Sequence, residues 1–292
     1  MSRSVLHVVG ARPNFMKMAP LARALWAKPG GYEHLLVHTG QHYDEHLNDS
    51  IFRDLGLKAP DIHLAAGSGS HAEQTGRIML AFEKLVAERR PSLVVVAGDV
   101  NSTLACSIVA AKANVPVAHL EAGLRSGDWT MPEEINRVVT DRLTQLHLTP
   151  SPDADANLLR EGVDSKSIVR VGNCMIDSLV THVEAARRGG TLTRFGVAKR
   201  GFALVTLHRP SNVDEPERLT RLVQVLSSLG ARLPIVFPVH PRTRARLEAA
   251  AIPLAELQSR GMVLSEPLDY LDFVQLEDAA AVLITDSGGV QE

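Results

Sequence analysis

The chain has 292 residues, of which 45% are apolar and 22% charged, and a formal net charge of −2. Such values describe an ordinary soluble globular protein long enough for two domains, and they exclude a disordered or fibrous chain and the basic footprint of a nucleic-acid binder. Two cysteines, Cys106 and Cys174, are too few for a disulfide scaffold and read as buried thiols; no stretch reaches the roughly twenty apolar residues of a membrane span, and no signal-peptide core precedes the break at Gly10, so the expected compartment is the cytoplasm.

Short β-branched or leucine-rich runs alternate with helical patterns, the signature of βαβ units around a parallel sheet. The first strand, Val5 to Val9, breaks into Gly10-Ala11-Arg12-Pro13-Asn14-Phe15-Met16-Lys17. Arg12 and Lys17 then stand at a helix N-terminus, where backbone N–H groups favour an anion; a tight turn with two solvated bases is the plain alternative. After a strand at His34 to His38 comes His42-Tyr43-Asp44-Glu45-His46, whose histidines are spaced as on a metal-binding helix. No third histidine or cysteine is placed to complete a tetrahedral site, and no metal is expected. A helix is predicted over Ala72 to Glu88, where Ile78, Phe82, Leu85 and Val86 recur at helical spacing. The strand Leu93 to Ala97 ends at Gly98-Asp99, and the strand Val115 to Leu120 ends at Glu121-Ala122-Gly123-Leu124-Arg125. Pro132-Glu133-Glu134 then opens a helix. Asp99, Glu121 and Glu133 thus gather at one rim, as required by a reaction that removes a proton from one face of a carbon and delivers it to the other. Structural roles also fit: Glu133 with Glu134 as first-turn acids, Glu121 with Arg125 as a helical ion pair. Strands at Leu146 to Thr149 and Ile168 to Val171 complete the series.

Residues 187–201 are polar, glycine-containing and without period, which assigns residues 1–188 to one domain, 189–201 to a linker and 202–292 to a second domain. Strands follow at Ala203 to Leu207, Pro234 to Val239, Met262 to Leu264 and Ala281 to Thr285, with Arg242, Arg244 and Arg246 read as a solvated helix face. The expectation is two Rossmann-like sheets whose carboxyl-terminal strand ends line a cleft. His208 follows the first of these strands and His240 the second, and Ser287-Gly288-Gly289 closes the chain as a turn whose N–H groups can cradle phosphate. Neither a GxGxxG fingerprint nor a P-loop is present, so no nicotinamide cofactor is implied.

GARPNFMKMAPL, HTGQHYD, AGDVNST, HLEAGLRSGD, MPEEINR, VTLHRPSNVD, FPVHPRT, EPLDYLDFV and TDSGGVQE occur in this order, and the chain resembles the non-hydrolysing UDP-N-acetylglucosamine 2-epimerases along its whole length. The resemblance implies a GT-B arrangement of two Rossmann-like domains, a homodimer, UDP-GlcNAc and UDP as ligands, and no cofactor. It implies anti elimination of UDP across C1 and C2 to 2-acetamidoglucal, followed by syn re-addition on the opposite face. Carried over by motif, Asp99, Glu121 and Glu133 resemble the acid–base carboxylates, with His208 and Arg12 holding the pyrophosphate. Lys17 resembles an electrostatic stabiliser, Ser287, Gly288, Gly289 and Glu292 the phosphate turn, and Phe273 the uracil-packing aromatic. Gln41, His42, Gln74 and His240 match positions of a second nucleotide-sugar site.

Two departures stand out. The first turn reads Ala-Arg-Pro-Asn-Phe-Met-Lys where well-known bacterial members read Thr-Arg-Pro-Glu-Ala-Ile-Lys. The chain also stops at the first glutamate of the usual Gln-Glu-Glu, so a shortened second domain and impaired turnover are expected. Rival readings are a hydrolysing epimerase that releases ManNAc and UDP, a GT-B glycosyltransferase, and an inactive nucleotide-sugar binder.

Overall fold

The computed structural model describes residues 3–28, 30–41, 52–252 and 254–291, with Arg12, Pro13 and Glu256 described in their backbone alone. The chain divides into two compact units, Met1–Ser178 and Leu179–Glu292. The division lies ahead of the polar stretch 187–201, part of which, Thr191–Phe195, is itself helical.

The first unit is built on a seven-stranded parallel sheet in the order β3-β2-β1-β4-β5-β6-β7. Its strands are β1 (Arg3–Val9), β2 (Tyr32–His38), β3 (Ile62–His63), β4 (Leu93–Ala97), β5 (Val117–Leu120), β6 (Leu146–Thr149) and β7 (Ile168–Arg170). The two residues of β3 are too few to leave a period in the sequence. Strand β5 starts later than its valine run because Pro116 has no N–H for the ladder; its carbonyl instead accepts from Val94 N at 2.9 Å. The helices are α1 (Arg12–Trp26), α2 (His71–Arg89), α3 (Asn101–Lys112), α4 (Pro132–Leu143), α5 (Pro152–Arg160) and α6 (Cys174–Arg187). Ser70 caps α2 through a reciprocal pair of bonds with Glu73, and Arg90 ends it in the left-handed conformation. Ile78, Phe82, Leu85 and Val86 then pack with Leu6, Val8, Val94 and Val96 of the sheet and with Ala105 and Val109 of α3. Each such large side chain contributes about 1.5–3 kcal/mol by burial.

The second unit has a four-stranded parallel sheet in the order β10-β9-β8-β11, formed by β8 (Ala203–Thr206), β9 (Ile235–Pro238), β10 (Met262–Ser265) and β11 (Val282–Thr285). Its helices are α7 (Thr191–Phe195), α8 (Pro210–Val213), α9 (Pro216–Gly230), α10 (Pro241–Ala249), α11 (Leu254–Ser259), α12 (Tyr270–Ala279) and α13 (Gly288–Gln291). Helix α9 buries Leu219, Val223 and Leu226, one stripe at helical spacing, in a core with Val205, Ile235 and Phe237. The arginines of α10 do not form one solvated face. Residues two apart point to opposite sides of a helix, so Arg242 and Arg246 share Asp214 while Arg244 reaches Glu266 at 2.8 Å.

Both sheets reverse their winding once, between β1 and β4 in the first unit and between β8 and β11 in the second. Open parallel sheets bind ligands outside the carboxyl ends of the strands at such a switch point. No described helix is long and apolar enough to cross a membrane.

Candidate active site

In the first unit the turn after β1 is tied to the end of β4 by Asn14, whose Oδ1 accepts from Gly10 N and Ala11 N, both at 3.2 Å, and whose Nδ2 donates to Ala97 O at 2.6 Å. This residue, one of the departures in the first turn, is 1% exposed and stands third in α1, where its side chain satisfies the backbone N–H of the N-cap residue Ala11. The next helical turn brings Lys17, 8% exposed, to Glu121, and the two form an ion pair. Glu121 adopts a left-handed backbone with φ of 74°, a conformation costly for a residue with a Cβ and often kept where a side chain must be aimed. It does not pair with Arg125 as a helical ion pair, because the segment after β5 is not helical: Arg125 turns instead to Glu161 at 2.7 Å and to Asp141 at 2.8 Å. A pocket bordered by Lys17, Glu121, Pro150, Asn173 and Cys174 opens beside the Lys17–Glu121 pair. Cys174 is therefore half-buried at a polar site, unlike Cys106, which is the buried thiol expected; burial, followed by the charges of Asp177 and Glu121, pushes its thiol up to about 11, which keeps it protonated.

Asp99, directly after β4, bonds to Arg137, and its backbone carbonyl accepts from Asn136 Nδ2 at 2.8 Å. Both partners come from α4, the helix that the motif Pro132-Glu133-Glu134-Ile135-Asn136-Arg137 opens. Glu133 is exposed on its first turn, whereas Glu134 is buried. Glu134 accepts from Ser126 N and Gly127 N, both at 2.9 Å, from Ser126 Oγ at 3.0 Å and from Arg137 at 3.1 Å. Burial alone works to raise its carboxyl, but the bonds from Ser126 and Gly127 and the charge of Arg137 outweigh it and hold the group below the usual range. Behind the two turns lie His119 and Asp141, fully buried and bonded at 2.6 Å.

Gln41 and Gln74 come together in the first unit with their amides engaged internally. Gln41 Oε1 accepts from Ser102 N at 3.1 Å and Ser102 Oγ at 2.6 Å. Gln74 Nε2 donates to the carbonyls of Gln41 at 3.0 Å and Gly67 at 3.2 Å, while its Oε1 accepts from Asn101 at 2.9 Å. His42, His46 and Glu292 lie outside the described residues, as does the side chain of Arg12.

In the second unit Thr206 stands opposite Thr285, so the residues after β8 meet those after β11. Asp286 organises the junction: its carboxylate accepts from His208 N at 3.1 Å, Arg209 N at 2.9 Å and Asn212 Nδ2 at 3.1 Å, with His208 Nδ1 at 3.2 Å. Burial pushes its carboxyl up, yet those donors and the charge of His208 prevail and hold it low. His208 also lies against His240, ring centroids 5.6 Å apart, and His240 Nδ1 accepts from Arg242 N at 3.2 Å to cap α10. Ser287 N donates to Thr285 Oγ1 at 2.9 Å, and Gly288 and Gly289 are exposed at the start of α13. Phe273 is half-buried and packs against the core of Phe202, Leu204, Val236 and Leu276. Among the described residues, no group of three His, Cys, Asp or Glu side chains could hold a metal ion.

The sequence model of the family described as UDP-N-acetylglucosamine 2-epimerase matches residues 24–292. The UDP-N-acetylglucosamine 2-epimerase of Methanococcus maripaludis is 38% identical over 98% of this chain and 78% of its own length. The UDP-2,3-diacetamido-2,3-dideoxy-D-glucuronate 2-epimerase of Pseudomonas aeruginosa is 39% identical over 99% of this chain and 79% of its own. The crystal structure of Methanocaldococcus jannaschii UDP-GlcNAc 2-epimerase in complex with UDP-GlcNAc and UDP superposes with a TM-score of 0.89 at 39% identity, covering 99% of this chain and 80% of that one.

Proposed function

Because the chain belongs to the UDP-N-acetylglucosamine 2-epimerase family, we propose that it converts UDP-GlcNAc to UDP-ManNAc by elimination and re-addition of UDP. A carboxylate of the first unit takes the C2 proton while the C1–O bond breaks and UDP leaves with the bonding pair, giving 2-acetamidoglucal. A proton is then delivered to C2 from the other face, and the β-phosphate oxygen of UDP re-forms its bond to C1. Loss of UDP gives C1 oxocarbenium character, which acidifies the neighbouring C2–H. The observation that carries this reading is the presence of Asp99 and Glu121 after adjacent strands, each held by one cation, Arg137 and Lys17. Glu133 is assigned the third acid–base role. His208 and the Ser287–Gly289 turn are assigned to the pyrophosphate, with Arg12.

Proton NMR of the protein with UDP-GlcNAc in deuterated water tests the proposal. UDP-ManNAc with deuterium at C2 in both epimers is expected; epimers that retain protium at C2 would sink the elimination. Free ManNAc and UDP would make the enzyme hydrolysing, and binding without turnover would leave a nucleotide-sugar binder. A second substrate is favoured by one observation, the 39% identity to the diacetamido-glucuronate 2-epimerase. The same assay with that UDP sugar ranks the two by kcat/KM.

A further inference from the structure

His119 has a hydrogen-bond acceptor on each ring nitrogen. Its Nδ1 is 2.6 Å from Asp141 Oδ1 and its Nε2 is 2.8 Å from the carbonyl oxygen of Gly98, and the side chain is 0% exposed. A carbonyl oxygen cannot donate. Asp141 cannot donate without surrendering charge, and its other oxygen already accepts from Gly123 N at 3.0 Å and Arg125 at 2.8 Å. A neutral imidazole would turn one bare nitrogen lone pair onto an acceptor at bonding distance, in a place water does not reach, at the full cost of an unmet buried polar group. We infer that His119 is a positioning residue held as an imidazolium, whose two N–H bonds and positive charge fix the turns that carry Asp99 and Glu121.

The bonds run to both turns. One goes to Gly98, the residue before Asp99; the other goes to Asp141, which grips Gly123, two residues after Glu121. The charges around the ring balance. Asp141 faces it from α4, Glu121 and Arg125 from the segment after β5, and Arg125 is in turn met by Glu161. Lys17 is neutralised by Glu121, and His147, beside His119 in the sheet, donates its Nε2 proton to the backbone oxygen of Asp141 at 2.9 Å. Burial works against charge on His119, but the charge and bond of Asp141, the Gly98 carbonyl and the charge of Glu121 overcome it and raise the imidazole above its ordinary value.

This role rests on the proposed epimerisation, and its test has one arm that does not. Long-range proton–nitrogen NMR of the full chain without ligand is expected to show protons on both nitrogens of His119 at pH 7.5 or so, the midpoint lying above the usual ~6.5. A single protonated nitrogen there overturns the inference even if the chain proves inactive on UDP-GlcNAc, an outcome that would sink the reaction alone. In the second arm, His119→Gln keeps a donor for Gly98 and removes the charge. Its kcat is expected to fall on the order of a hundredfold with KM for UDP-GlcNAc little changed. The parental kcat should fall on the alkaline side as His119 gives up its proton, and the variant, which has no proton to lose there, should lack that limb. A parental kcat with the alkaline limb retained, or a loss of kcat matched by loss of thermal stability with that limb retained, would leave His119 a packing residue only.

Discussion

Glu133 and Glu134 are neighbours in sequence but about 100° apart around α4, and that angle separates their work. Glu134 closes the loop at Ser126 and Gly127; Glu133 stays exposed. Hydrogen bonds to a charged group contribute about 1.5–3 kcal/mol, so Glu134→Gln should lower unfolding free energy by about that amount in urea. Glu133→Gln should leave stability within about 0.5 kcal/mol, as an exposed substitution does, and lower kcat by about 10² to 10⁴ if it carries a proton. A Glu133→Gln protein with parental kcat removes it from the acid–base set. Asp141 yields a pH prediction. Its folded pKa is depressed, first against burial and then by His119 and Arg125, so its stabilisation is present above the unfolded value of ~3.9 and fades as pH falls toward the folded one. His119, raised, stabilises below ~6.5 and fades as pH climbs through its folded value. Stability from the pair should be greatest between those limits. Asp141→Asn, which strands a buried cation, should lose about 3–5 kcal/mol near pH 6 and show a flatter acid limb in denaturant titrations. The sequence disclosed the acids but not their division of labour. Asp286 went unsingled for a related reason: its donors lie some 77 residues away in chain order, and two of the four are backbone N–H groups that no side-chain motif records.

The turn between β5 and α4 separates space from conformation as causes. Gly123 and Gly127 both have positive φ, 83° and 73°, but a Cβ on Gly123 would meet the Ala154 carbonyl oxygen at 2.5 Å, whereas one on Gly127 meets nothing within 4 Å. The left-handed backbone costs an L-residue about 1–2 kcal/mol, so Gly127→Ala should lose about that much. Gly123→Ala bears the same strain plus overlap with the backbone of α5, and overpacking typically adds about 1–3 kcal/mol. Equal losses in urea unfolding would mean that α5 yields easily and that the contact fixes nothing. In the sequence this segment also fitted a helix with Glu121 and Arg125 paired, and nothing there shows which glycine is sterically pinned, since Ala154 is brought there by the sheet. The longer elements were plainer. Alternation disclosed ten of the strands, and a strong stripe disclosed α2; the two-residue β3 and the Pro116 delay of β5 depend on ladder bonds that have no period.

Across the whole molecule, the candidate residues divide by unit. The carboxylates that could move protons, Asp99, Glu121 and Glu133, belong to the first unit, while His208, Asp286 and the Ser287–Gly289 turn belong to the second. The βαβ alternation made two parallel sheets readable in advance, and the rule that ligands gather at carboxyl strand ends is what singled out the candidate residues. The strand order did not follow from either, and it is the order that places a switch point beside Lys17 and Asp99 in one sheet and between His208 and Asp286 in the other. This partition predicts a separation of kinetic effects. Asp286 holds the His208 and Arg209 amides and the His208 ring, so Asp286→Ala frees the segment that is assigned to the pyrophosphate. UDP binding, read by calorimetry, should weaken by about tenfold or more, the equivalent of losing about 1.4 kcal/mol or one charge-assisted bond. Glu121→Gln should leave UDP affinity within about twofold, since it removes no donor from that segment, and lower kcat by about 10² to 10⁴. The thermal shift given by saturating UDP should follow affinity, shrinking for Asp286→Ala and holding for Glu121→Gln, because a ligand stabilises only in proportion to its binding to the folded state. If Glu121→Gln weakens UDP as much as Asp286→Ala does, the division of proton transfer from pyrophosphate holding is wrong, and Glu121 acts on the nucleotide itself.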